Sequence, residues 1–485
     1  MNKLVWIKSQ FAAYYNRPVG GIMWGIELDR KSEMPLKRQI YKILRDQMTE
    51  GRIKAGEALT STRELSKQLG VSRNTVCEAY EMLLAEGFIL SSQGAPTRVA
   101  EGLCIGKIGD AKPLLEIARQ QVKPYSVDFR TGQPDLTHFP RFNWVNILRK
   151  NFEEMPLNQL GYSGPEGLLQ LREEIAAWLF RSRGIVVQSQ DIFITAGATH
   201  ALHLIADLLC KEGQEILIED PCHIGMLRVL QSKGCPVSPV PVDEKGLQTQ
   251  YLIKKDACAI YVTPSHQFPL GGILTASRRA ELIRSARENE IFIVEDDYDS
   301  EFRYSGESIA PLYSMDSNKV IYVGTFSKIL FPALRIGYVV LPNQLHERWR
   351  YLRTHNDVQN PPFEQAALAE YLRSRKLDRY VQKMRRLYGN RRKVLLQALE
   401  ETFETGWKVW GDAAGLHLAV EFKGMCFNGE FVASCKRKGI LITPVEHHSI
   451  GKGKHLNKLL IGYGHLEPDE IKKGILLLHE FMKNL

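Results

Sequence analysis

Hydrophobic positions near the amino end of the chain follow a helical period. Ile40, Leu44 and Met48 recur at this spacing from residue 36 onward and predict an amphipathic helix. Ser61 with Glu64 is a capping-box pattern that opens a second helix, and Ser72 caps a third after a tight turn at Gly70. Residues 88–90 and 97–99 read as two short strands, and the third helix is expected to bury Val76, Tyr80, Leu83 and Leu84. The pattern predicts a small α+β winged helix-turn-helix.

Short apolar strands alternate with amphipathic helices from residue 127 onward. This pattern is typical of a mostly parallel sheet covered by helices on both faces. The candidate strands are residues 192–195, 215–219, 259–263, 291–295, 320–323 and 336–341. We therefore predict a multidomain chain with a motif-free extension over residues 1–25 that could be a disordered arm. A DNA-binding domain follows over 26–100, then a linker over 101–126 and an α/β domain over 127–485.

The first turn of the third helix carries the candidate DNA-reading residues. In a helix-turn-helix this turn meets base edges in the major groove. Ser72, Arg73, Asn74 and Thr75 occupy it, and Arg63 on the preceding helix is a further candidate. Arg73 suits bidentate pairing with guanine, whereas Ser72 and Thr75 suit phosphate. The alternative is a protein-interaction module with solvated arginines, since residues 29–100 hold 12 Lys+Arg and 9 Asp+Glu. The placement of these four side chains favours DNA.

Residues 35–99 resemble the winged-helix domain of the GntR family of bacterial regulators. The resemblance is densest over Leu69-Gly70-Val71-Ser72-Arg73-Asn74-Thr75-Val76. One departure is Thr60, where the family usually has proline, and another is the wing at residues 94–98. The resemblance implies binding to double-stranded promoter DNA. Because the wing departs from the family pattern, its contacts with DNA are a weaker expectation than those of the third helix.

Polar clusters follow five of the predicted strands. In an open parallel sheet, ligands bind outside the carboxyl ends of the strands, so these clusters are expected to meet at one rim. They begin at Gly197, Asp220, Pro264, Asp296 and Thr325.

The residue types at this rim suit an aldehyde cofactor with a phosphate group. Lys328 can form a Schiff base if its pocket lowers the pKa of the amine. Asp296 can hold a pyridine nitrogen protonated, and Tyr298 can bind a phenolic oxygen. The phosphate candidates are the backbone amides of Ala198 and Thr199, with Thr325, Ser327 and Arg335. Each of these residues, taken alone, also has a purely structural explanation. Lys328 could be a surface lysine, Asp296 a helix cap, and Arg335 the partner of a carboxylate in the core.

Residues 128–485 resemble fold-type I, class I aminotransferases, and nearly the whole chain after Met23 is similar to the MocR/GabR subfamily of GntR regulators. The matching runs lie at 263–269, 295–304 and 324–337. The resemblance implies pyridoxal 5'-phosphate (PLP) on Lys328 and a head-to-tail homodimer in which Tyr162 reaches the partner's phosphate. The implied effector is an amine-type ligand or PLP itself.

Two positions depart from the aminotransferase pattern. His223 stands where an aromatic side chain usually stacks on the cofactor ring. Leu460 stands where class I enzymes carry the arginine that clamps the substrate carboxylate, although Lys458 or His465 could substitute. Loss of that arginine disfavours ordinary transamination of α-amino acids. A PLP-dependent aminotransferase with an accessory DNA-binding module remains the rival to a ligand-sensing transcription regulator.

The overall composition says less about function than the motifs do. Hydrophobic content of 44% with 25% charged residues indicates a globular protein, and the net charge of +9 permits nucleic-acid binding. The eight cysteines lack metal-ligand spacing and are expected to be reduced, and no apolar stretch is long enough for a membrane span. We therefore expect a cytoplasmic protein without a metal site. A basic run over residues 373–393 predicts a solvated helix face or, alternatively, a second DNA contact.

Overall fold

The computed structural model describes residues 23–92, 94–103, 125–252, 257–306, 309–411 and 414–483. The chain forms two compact units, Met1–Gln121 and Val122–Leu485. Most of the predicted extension and of the predicted linker lies outside the described residues. The described end of the extension, Met23–Gly25, is a 3-10 turn, and Gln47 donates a hydrogen bond to the Trp24 carbonyl.

The smaller unit is a three-helix core with a two-stranded hairpin. Its elements are α1 (Leu36–Thr49), α2 (Thr62–Leu69), α3 (Arg73–Ala85), β1 (Ile89–Leu90) and β2 (Arg98–Val99). The predicted caps are both present, because Ser61 Oγ accepts from the Glu64 amide and Ser72 Oγ accepts from the Thr75 amide. One core expectation is wrong: Leu84 is exposed, since α3 turns Ala79 and Leu83 inward instead.

The larger unit is built from alternating helices and strands. Its helices are α4 (Arg141–Glu153), α5 (Leu169–Arg183), α6 (Ala198–Leu209), α7 (Ile224–Ser232), α8 (Ala276–Glu288), α9 (His346–Asn356), α10 (Pro362–Arg373), α11 (Lys376–Phe403), α12 (Gly429–Arg437) and α13 (Pro468–Lys483). The strands of its main sheet are β4 (Ile192–Thr195), β5 (Glu215–Asp220), β6 (Val237–Asp243), β7 (Gly246–Leu247), β8 (Ala257–Val262), β9 (Phe292–Asp297), β10 (Val320–Thr325) and β11 (Gly337–Val340).

The main sheet has eight strands in the order β4-β11-β10-β9-β8-β5-β6-β7. Five neighbouring strands, from β10 to β6, pair in parallel, whereas β11 runs antiparallel to both β10 and β4. β4 therefore points the same way as the parallel strands. Because of this direction, the carboxyl ends of β4, β5, β8, β9 and β10 lie along one edge of the sheet.

A smaller antiparallel sheet forms the carboxyl-terminal lobe. Its strands are β12 (Trp407–Trp410), β13 (His417–Phe422), β15 (Thr443–Pro444) and β16 (Lys458–Gly462), and a separate pair joins β3 (Val127–Asp128) to β14 (Ile440–Leu441). Leu460 lies in β16 between Ala419 and Thr443 and is wholly buried. This lobe and the mostly parallel sheet give the fold class expected from the sequence.

Two further observations bear on the composition. Cys210, after α6, and Cys235, before β6, form a disulfide with Cα atoms 6.2 Å apart, so the expectation of eight reduced thiols is wrong for this pair. Both cysteines lie at the same hydrophobic cluster, which brings them together across 25 residues of chain. Among the described residues, no helix is both long and apolar enough to cross a membrane.

Candidate DNA interface and cofactor site

The amino end of α3 presents a polar, solvent-facing surface. Ser72, Arg73 and Asn74 are exposed and Thr75 is half-buried, while Val76 begins the buried side of the helix. Ser72 Oγ contacts the Thr75 hydroxyl at 2.8 Å and accepts from the Thr75 amide at 3.1 Å. The cap therefore fixes the first turn of α3, and the remaining side chains are available to a ligand in solvent.

Packing between the helices holds this turn in place. The Tyr80 hydroxyl donates to the Thr60 carbonyl at 2.7 Å, which ties α3 to the chain entering α2. Arg63 is exposed on α2. In the hairpin, Arg98 donates to the Gly56 carbonyl at 2.8 Å and so serves a structural contact. Contacts between the wing and DNA stay a prediction.

Lys328 occupies a largely enclosed position after β10. Its Nζ donates to the Gly132 carbonyl at 2.6 Å. Burial lowers the pKa of the Lys328 amine, and the nearby carboxylates of Asp299 and Asp296 partly offset that effect. A lysine with a lowered pKa has a larger share of the neutral amine that attacks carbonyl groups.

Asp296, at the end of β9, is buried and half-satisfied. Its Oδ2 accepts from the Tyr261 hydroxyl at 2.6 Å, whereas Oδ1 has no hydrogen-bond partner within the described structure. Burial raises the pKa of Asp296 to about 6, and the Tyr261 hydrogen bond and Lys328 act in the opposite direction. A buried acceptor without a donor suits a ligand with a protonated ring nitrogen.

Tyr298 and His266 form the next part of the wall. The Tyr298 hydroxyl lies 3.0 Å from His266 Nδ1, which also lies 3.0 Å from Asp299 Oδ1. Burial raises the pKa of Tyr298, so this phenol stays protonated and can donate a hydrogen bond at neutral pH. The sequence placed His266 in a rim cluster without giving it a role.

His223 closes the rim beyond β5. Its ring packs edge-on to Phe268 with centroids 5.7 Å apart, and its Nδ1 has no hydrogen-bond partner among the described residues. Burial, followed by the charge of Lys328, lowers the pKa of His223 to about 4. The imidazole is therefore neutral at pH 7 and can contact an aromatic ring without adding charge.

Three of the residues predicted to bind a phosphate, Ala198, Thr199 and Arg335, lie at the start of α6. Arg335 donates to the Ala196 carbonyl at 2.5 Å, and its guanidinium packs against Gly197, where a Cβ atom would approach it to 3.0 Å. Ala198 and Thr199 begin α6, which places their amides at a helix amino terminus. A cavity of about 660 Å³ opens here, and its lining includes Ala196, Thr199, His200 and Arg335.

Thr325 and Ser327 lie beside Lys328 in sequence and are buried. The Thr325 hydroxyl donates to Ser327 Oγ at 3.1 Å, and the Ser327 amide donates to Thr325 Oγ1 at 3.2 Å. These bonds shape the turn that follows β10. The Ser327 hydroxyl accepts in this contact and keeps its own proton to donate to a phosphate, whereas the Thr325 hydroxyl would have to exchange the contact for one to the ligand.

Tyr162 is the one candidate that stands apart within a single chain. Its side chain is 89% exposed. Gln359 holds the surrounding loop, because its amide donates to the Gly161 carbonyl at 3.0 Å and accepts from the Ser163 amide at 2.5 Å. The loop is fixed while the tyrosine ring faces solvent.

Lys458 and His465 are the two side chains that could replace the arginine missing at Leu460. Lys458 lies 3.8 Å from Glu421 and over the Trp410 ring at 4.8 Å, so its ammonium is engaged in the small sheet. His465 is largely buried, and burial lowers the pKa of its imidazole. Neither side chain offers the permanent, forked cation that an arginine would supply.

Tyr261 and Gly132 were not among the sequence candidates. Tyr261 lies in β8, where an aromatic residue in an apolar run indicates only core packing. Gly132 lies outside any strand, and only the fold brings its carbonyl to Lys328 across 196 residues of sequence. No local sequence signal identifies either contact.

Comparison with known proteins agrees with both halves of this description. Residues 36–99 match the model described as bacterial regulatory proteins, gntR family, and residues 128–454 match aminotransferase class I and II. The chain is 30% identical over 463 residues to the probable rhizopine catabolism regulatory protein MocR of Rhizobium meliloti, covering 92% of this chain and 94% of that protein.

Two further proteins are similar over long stretches. The pyridoxine biosynthesis transcriptional regulator PdxR of Corynebacterium glutamicum is 32% identical over 456 residues, covering 92% of this chain and 96% of that protein. The crystal structure of Pyrococcus horikoshii kynurenine aminotransferase in complex with PMP superimposes with a TM-score of 0.68 at 27% identity. That match covers 74% of this chain and 91% of the archaeal enzyme.

Proposed function

This chain belongs to the transcriptional regulators that join a GntR helix-turn-helix to an aminotransferase-like domain, and we propose that it senses an amine-type ligand or PLP itself at Lys328. The observation that carries the proposal is the unpartnered Oδ1 of buried Asp296, whose electrostatic field reaches the Lys328 amine. The exposed first turn of α3 supplies the DNA-binding surface.

The residues present fit PLP. The aminotransferase class I and II family is PLP-dependent, and PLP supplies an aldehyde that condenses with primary amines through an electron-withdrawing ring. Asp296 would hold the ring nitrogen protonated, Tyr298 would donate to the ring oxygen, and His223 would cover one ring face. The phosphate would lie at Ala198, Thr199 and Arg335, with Thr325 and Ser327.

We propose that the effector acts on the protein at Lys328. If PLP were held at Lys328, a primary amine that competed for its aldehyde would leave the lysine nitrogen free to donate to the Gly132 carbonyl, as it does in this structure. An effector regulates DNA binding only if it binds two conformations of the protein with different affinity. We propose that engagement and release of Lys328 distinguish those two conformations, whether the ligand is an amine or PLP.

On the DNA side, we propose that Arg73 and Asn74 read base edges and that Ser72, Thr75 and Arg63 contact the phosphate backbone. The exposure of Arg63 on α2 and of Ser72, Arg73 and Asn74 at the start of α3, with Thr75 half-buried beside them, supports this assignment. We propose that the target is a promoter near a metabolic gene, since the similar proteins MocR and PdxR are regulators of rhizopine catabolism and of pyridoxine biosynthesis, respectively.

We also propose a head-to-tail homodimer in which Tyr162 of each subunit completes the other's phosphate site. Exposed apolar side chains in the segment that precedes Tyr162 in sequence support it: Phe142, Val145 and Phe152 on α4, followed by Leu157 and Leu160. Large apolar side chains exposed in one segment favour an interaction site.

Mixed dimers test this arrangement. Tyr162→Phe and Lys328→Ala homodimers should each bind PLP poorly or not covalently. A mixed dimer would contain one intact site, with covalent label only on the Tyr162→Phe subunit after borohydride reduction. Absence of that rescue would contradict the shared site.

The rival function is a working aminotransferase. Lys328, Asp296 and Tyr298 favour it, since all three lie at one rim, and buried Leu460 counts against it. Steady turnover of an amino acid and keto acid pair, abolished in Lys328→Ala, would support the enzyme.

The direct experiment is binding to the DNA upstream of the protein's own gene and its neighbour, at physiological salt, with and without PLP. Specific binding that changes with PLP, and no longer changes in Lys328→Ala, supports PLP as the signal. Specific binding that ignores PLP but responds to an amine supports an amine effector. Absence of specific binding would overturn the regulator proposal.

A further inference from the structure

His266 lies beside Tyr298 but takes no part in the PLP contacts proposed above. It follows β8 and is buried. Its Nδ1 lies 3.0 Å from the Tyr298 hydroxyl, and 3.0 Å and 3.1 Å from the two carboxylate oxygens of Asp299. One ring nitrogen therefore contacts a phenol and a carboxylate at the same time.

The Asp299 carboxylate decides where the protons lie among these three groups. An ionised carboxylate only accepts hydrogen bonds, so Nδ1 of His266 carries a proton and donates it to Asp299, whether the imidazole is neutral or charged. A ring nitrogen that carries a proton has no lone pair with which to accept from Tyr298. The Tyr298 oxygen can share the same N–H as a second acceptor, and the Tyr298 proton is then free for a ligand.

Close packing fixes the orientation of the His266 ring. Gly415, just before β13, lies against it, because an added Cβ atom at this residue would overlap both the ring and an Asp299 oxygen. The Gly415 carbonyl is itself held in place, since it accepts from the Tyr304 hydroxyl at 2.5 Å and from the Tyr463 hydroxyl at 2.7 Å. The contact between His266 and Asp299 therefore has little freedom to rearrange.

Two other ionisable groups lie near this pair. The ring centroid of His417, at the start of β13, is 5.4 Å from that of His266. Burial lowers the pKa of His417 to about 4, so this imidazole adds no charge at neutral pH. Lys328 is the nearby cation: burial lowers the pKa of its amine, and the Asp299 charge acts in the opposite direction. Asp299 thus acts on Lys328 through its charge, and on Tyr298 through His266.

We propose that His266 and Asp299 form a positioning pair that directs the Tyr298 hydroxyl proton toward the ring oxygen of PLP. The proposal rests on the proposed function, because it takes PLP as the ligand at Lys328. In this role His266 acts only through Tyr298 and makes no contact of its own with the ligand. The hydrogen bond to Asp299 fixes the ring nitrogen that carries the proton, as a second partner of a histidine commonly does.

The pH dependence of the visible absorbance of bound PLP reports on the Tyr298 contact. A hydrogen-bond donor to the ring oxygen favours the deprotonated, negatively charged form of that oxygen. Loss of the donor should therefore raise the pH midpoint of the absorbance change. We expect Tyr298→Phe to raise this midpoint by about one pH unit or more, because the variant removes a hydrogen bond to a charged group.

Two full-length, PLP-loaded variants of similar side-chain size separate the N–H group of His266 from its packing. His266→Leu removes the donor to Asp299, so the Tyr298 proton is no longer kept away from that carboxylate. His266→Gln also loses the ring but keeps an N–H that can donate to Asp299. We expect His266→Leu to raise the pH midpoint about as much as Tyr298→Phe, and His266→Gln to stay close to the wild type.

A double variant tests whether His266 acts through Tyr298. In the Tyr298→Phe background, His266→Leu should cause no further shift of the midpoint. A shift that persists in full there, or equal shifts in His266→Leu and His266→Gln, would overturn the proposal. Should His266→Leu not fold, an unchanged midpoint in Tyr298→Phe or a full shift in His266→Gln would still overturn it. His417→Gln, which removes the neighbouring imidazole, should keep the wild-type midpoint.

Failure of the proposed function gives a different result. A wild type that takes up no PLP would reject the proposed function, and with it the role of the pair. A wild type that is labelled covalently on Lys328 after borohydride reduction supports the proposed function. In that case a failure of the expected midpoint shifts would reject the positioning pair alone.

Discussion

The Tyr261 hydroxyl donates to Oδ2 of Asp296 at 2.6 Å and leaves Oδ1 of the same carboxylate without a partner. Oδ2 therefore has a partner within the fold, whereas Oδ1 is available to a ligand. The hydrogen bond also acts against burial in setting the pKa of Asp296. Tyr261 is therefore expected to control how well Asp296 pairs with a protonated ring nitrogen.

Removal of the Tyr261 hydroxyl should weaken PLP binding. Tyr261→Phe raises the pKa of Asp296 further and is expected to raise the PLP dissociation constant by about tenfold. Asp296→Asn, which removes the charge, should raise it by roughly a hundredfold or more. Both constants can be measured from the visible absorbance of titrated, cofactor-free protein.

Tyr322→Phe is the matched control. Tyr322 donates to Asp297 at 2.5 Å, so this variant also removes a buried hydroxyl from an aspartate in the same run. We expect it to lower stability while leaving PLP affinity near the wild-type value. An equal loss of affinity in both tyrosine variants would show that packing, not the Asp296 contact, matters.

The same carboxylate should make cofactor-free stability depend on pH. The folded pKa of Asp296 is about 6, above its ordinary value of 3.8, so the folded state favours the protonated form. Its stabilising contribution is full below pH 3.8 and is lost as pH rises through about 6.

Asp296→Asn should therefore stabilise the cofactor-free protein at pH 8 by roughly 3 kcal/mol, and the gain should vanish near pH 4. Urea unfolding at the two pH values measures the difference. The variant thus gains stability while losing PLP affinity. A loss of stability at pH 8 would contradict the conclusion that burial of the Asp296 carboxylate outweighs its favourable contacts with Tyr261 and Lys328.

Ser72 and Arg73 are adjacent, but we expect their substitution to change different properties, namely stability for Ser72 and DNA affinity for Arg73. Ser72→Ala removes the cap of α3 and should lower the free energy of unfolding of the smaller unit by about 1 kcal/mol. Arg73→Ala should leave stability unchanged and cost about 1–3 kcal/mol of operator binding through lost base contacts. Thermal unfolding and operator titration separate the two effects, and loss of stability in Arg73→Ala would place that side chain in the fold instead.

Gly197 should be sensitive to a single methyl group. Its φ of 83° is unfavourable for other residues, and an added Cβ would lie 3.0 Å from the Arg335 guanidinium. Gly197→Ala is expected to displace Arg335 and to weaken PLP binding about tenfold or more, by loss of a charge-assisted phosphate contact.

Gly213→Ala separates backbone strain from the contact. Gly213 has a φ of 79° and open space around its Cα, so the substitution imposes strain without touching the phosphate site. PLP affinity should be unchanged in this variant. A similar loss in both glycine variants would assign the effect to strain alone.

Local chemistry in the sequence predicted much of this structure. The Ser61 and Ser72 caps follow from residue spacing, and the carboxyl ends of five strands follow from the alternation of strands and helices. Strand β6 was missed because it carries Pro239 and Pro241, which lack an amide donor and are uncommon inside sheets. Its place next to the sheet edge tolerates them.

The rest of the site depends on contacts between distant parts of the chain. Tyr261 and Asp296 lie on neighbouring strands, and only the pairing of β8 with β9 brings them together. The roles of Tyr162, Arg335 and the other candidates as ligand contacts stay predictions.

The hydrogen bond from Lys328 to the Gly132 carbonyl has a consequence for how the chain enters the larger unit. A lysine nitrogen bound to another group cannot hold that carbonyl in the same way. Gly132 lies four residues beyond Asp128, in the first described stretch after the residues that connect the two units. We therefore expect this peptide oxygen to be held by Lys328 when the amine is free and to be released when the amine is occupied.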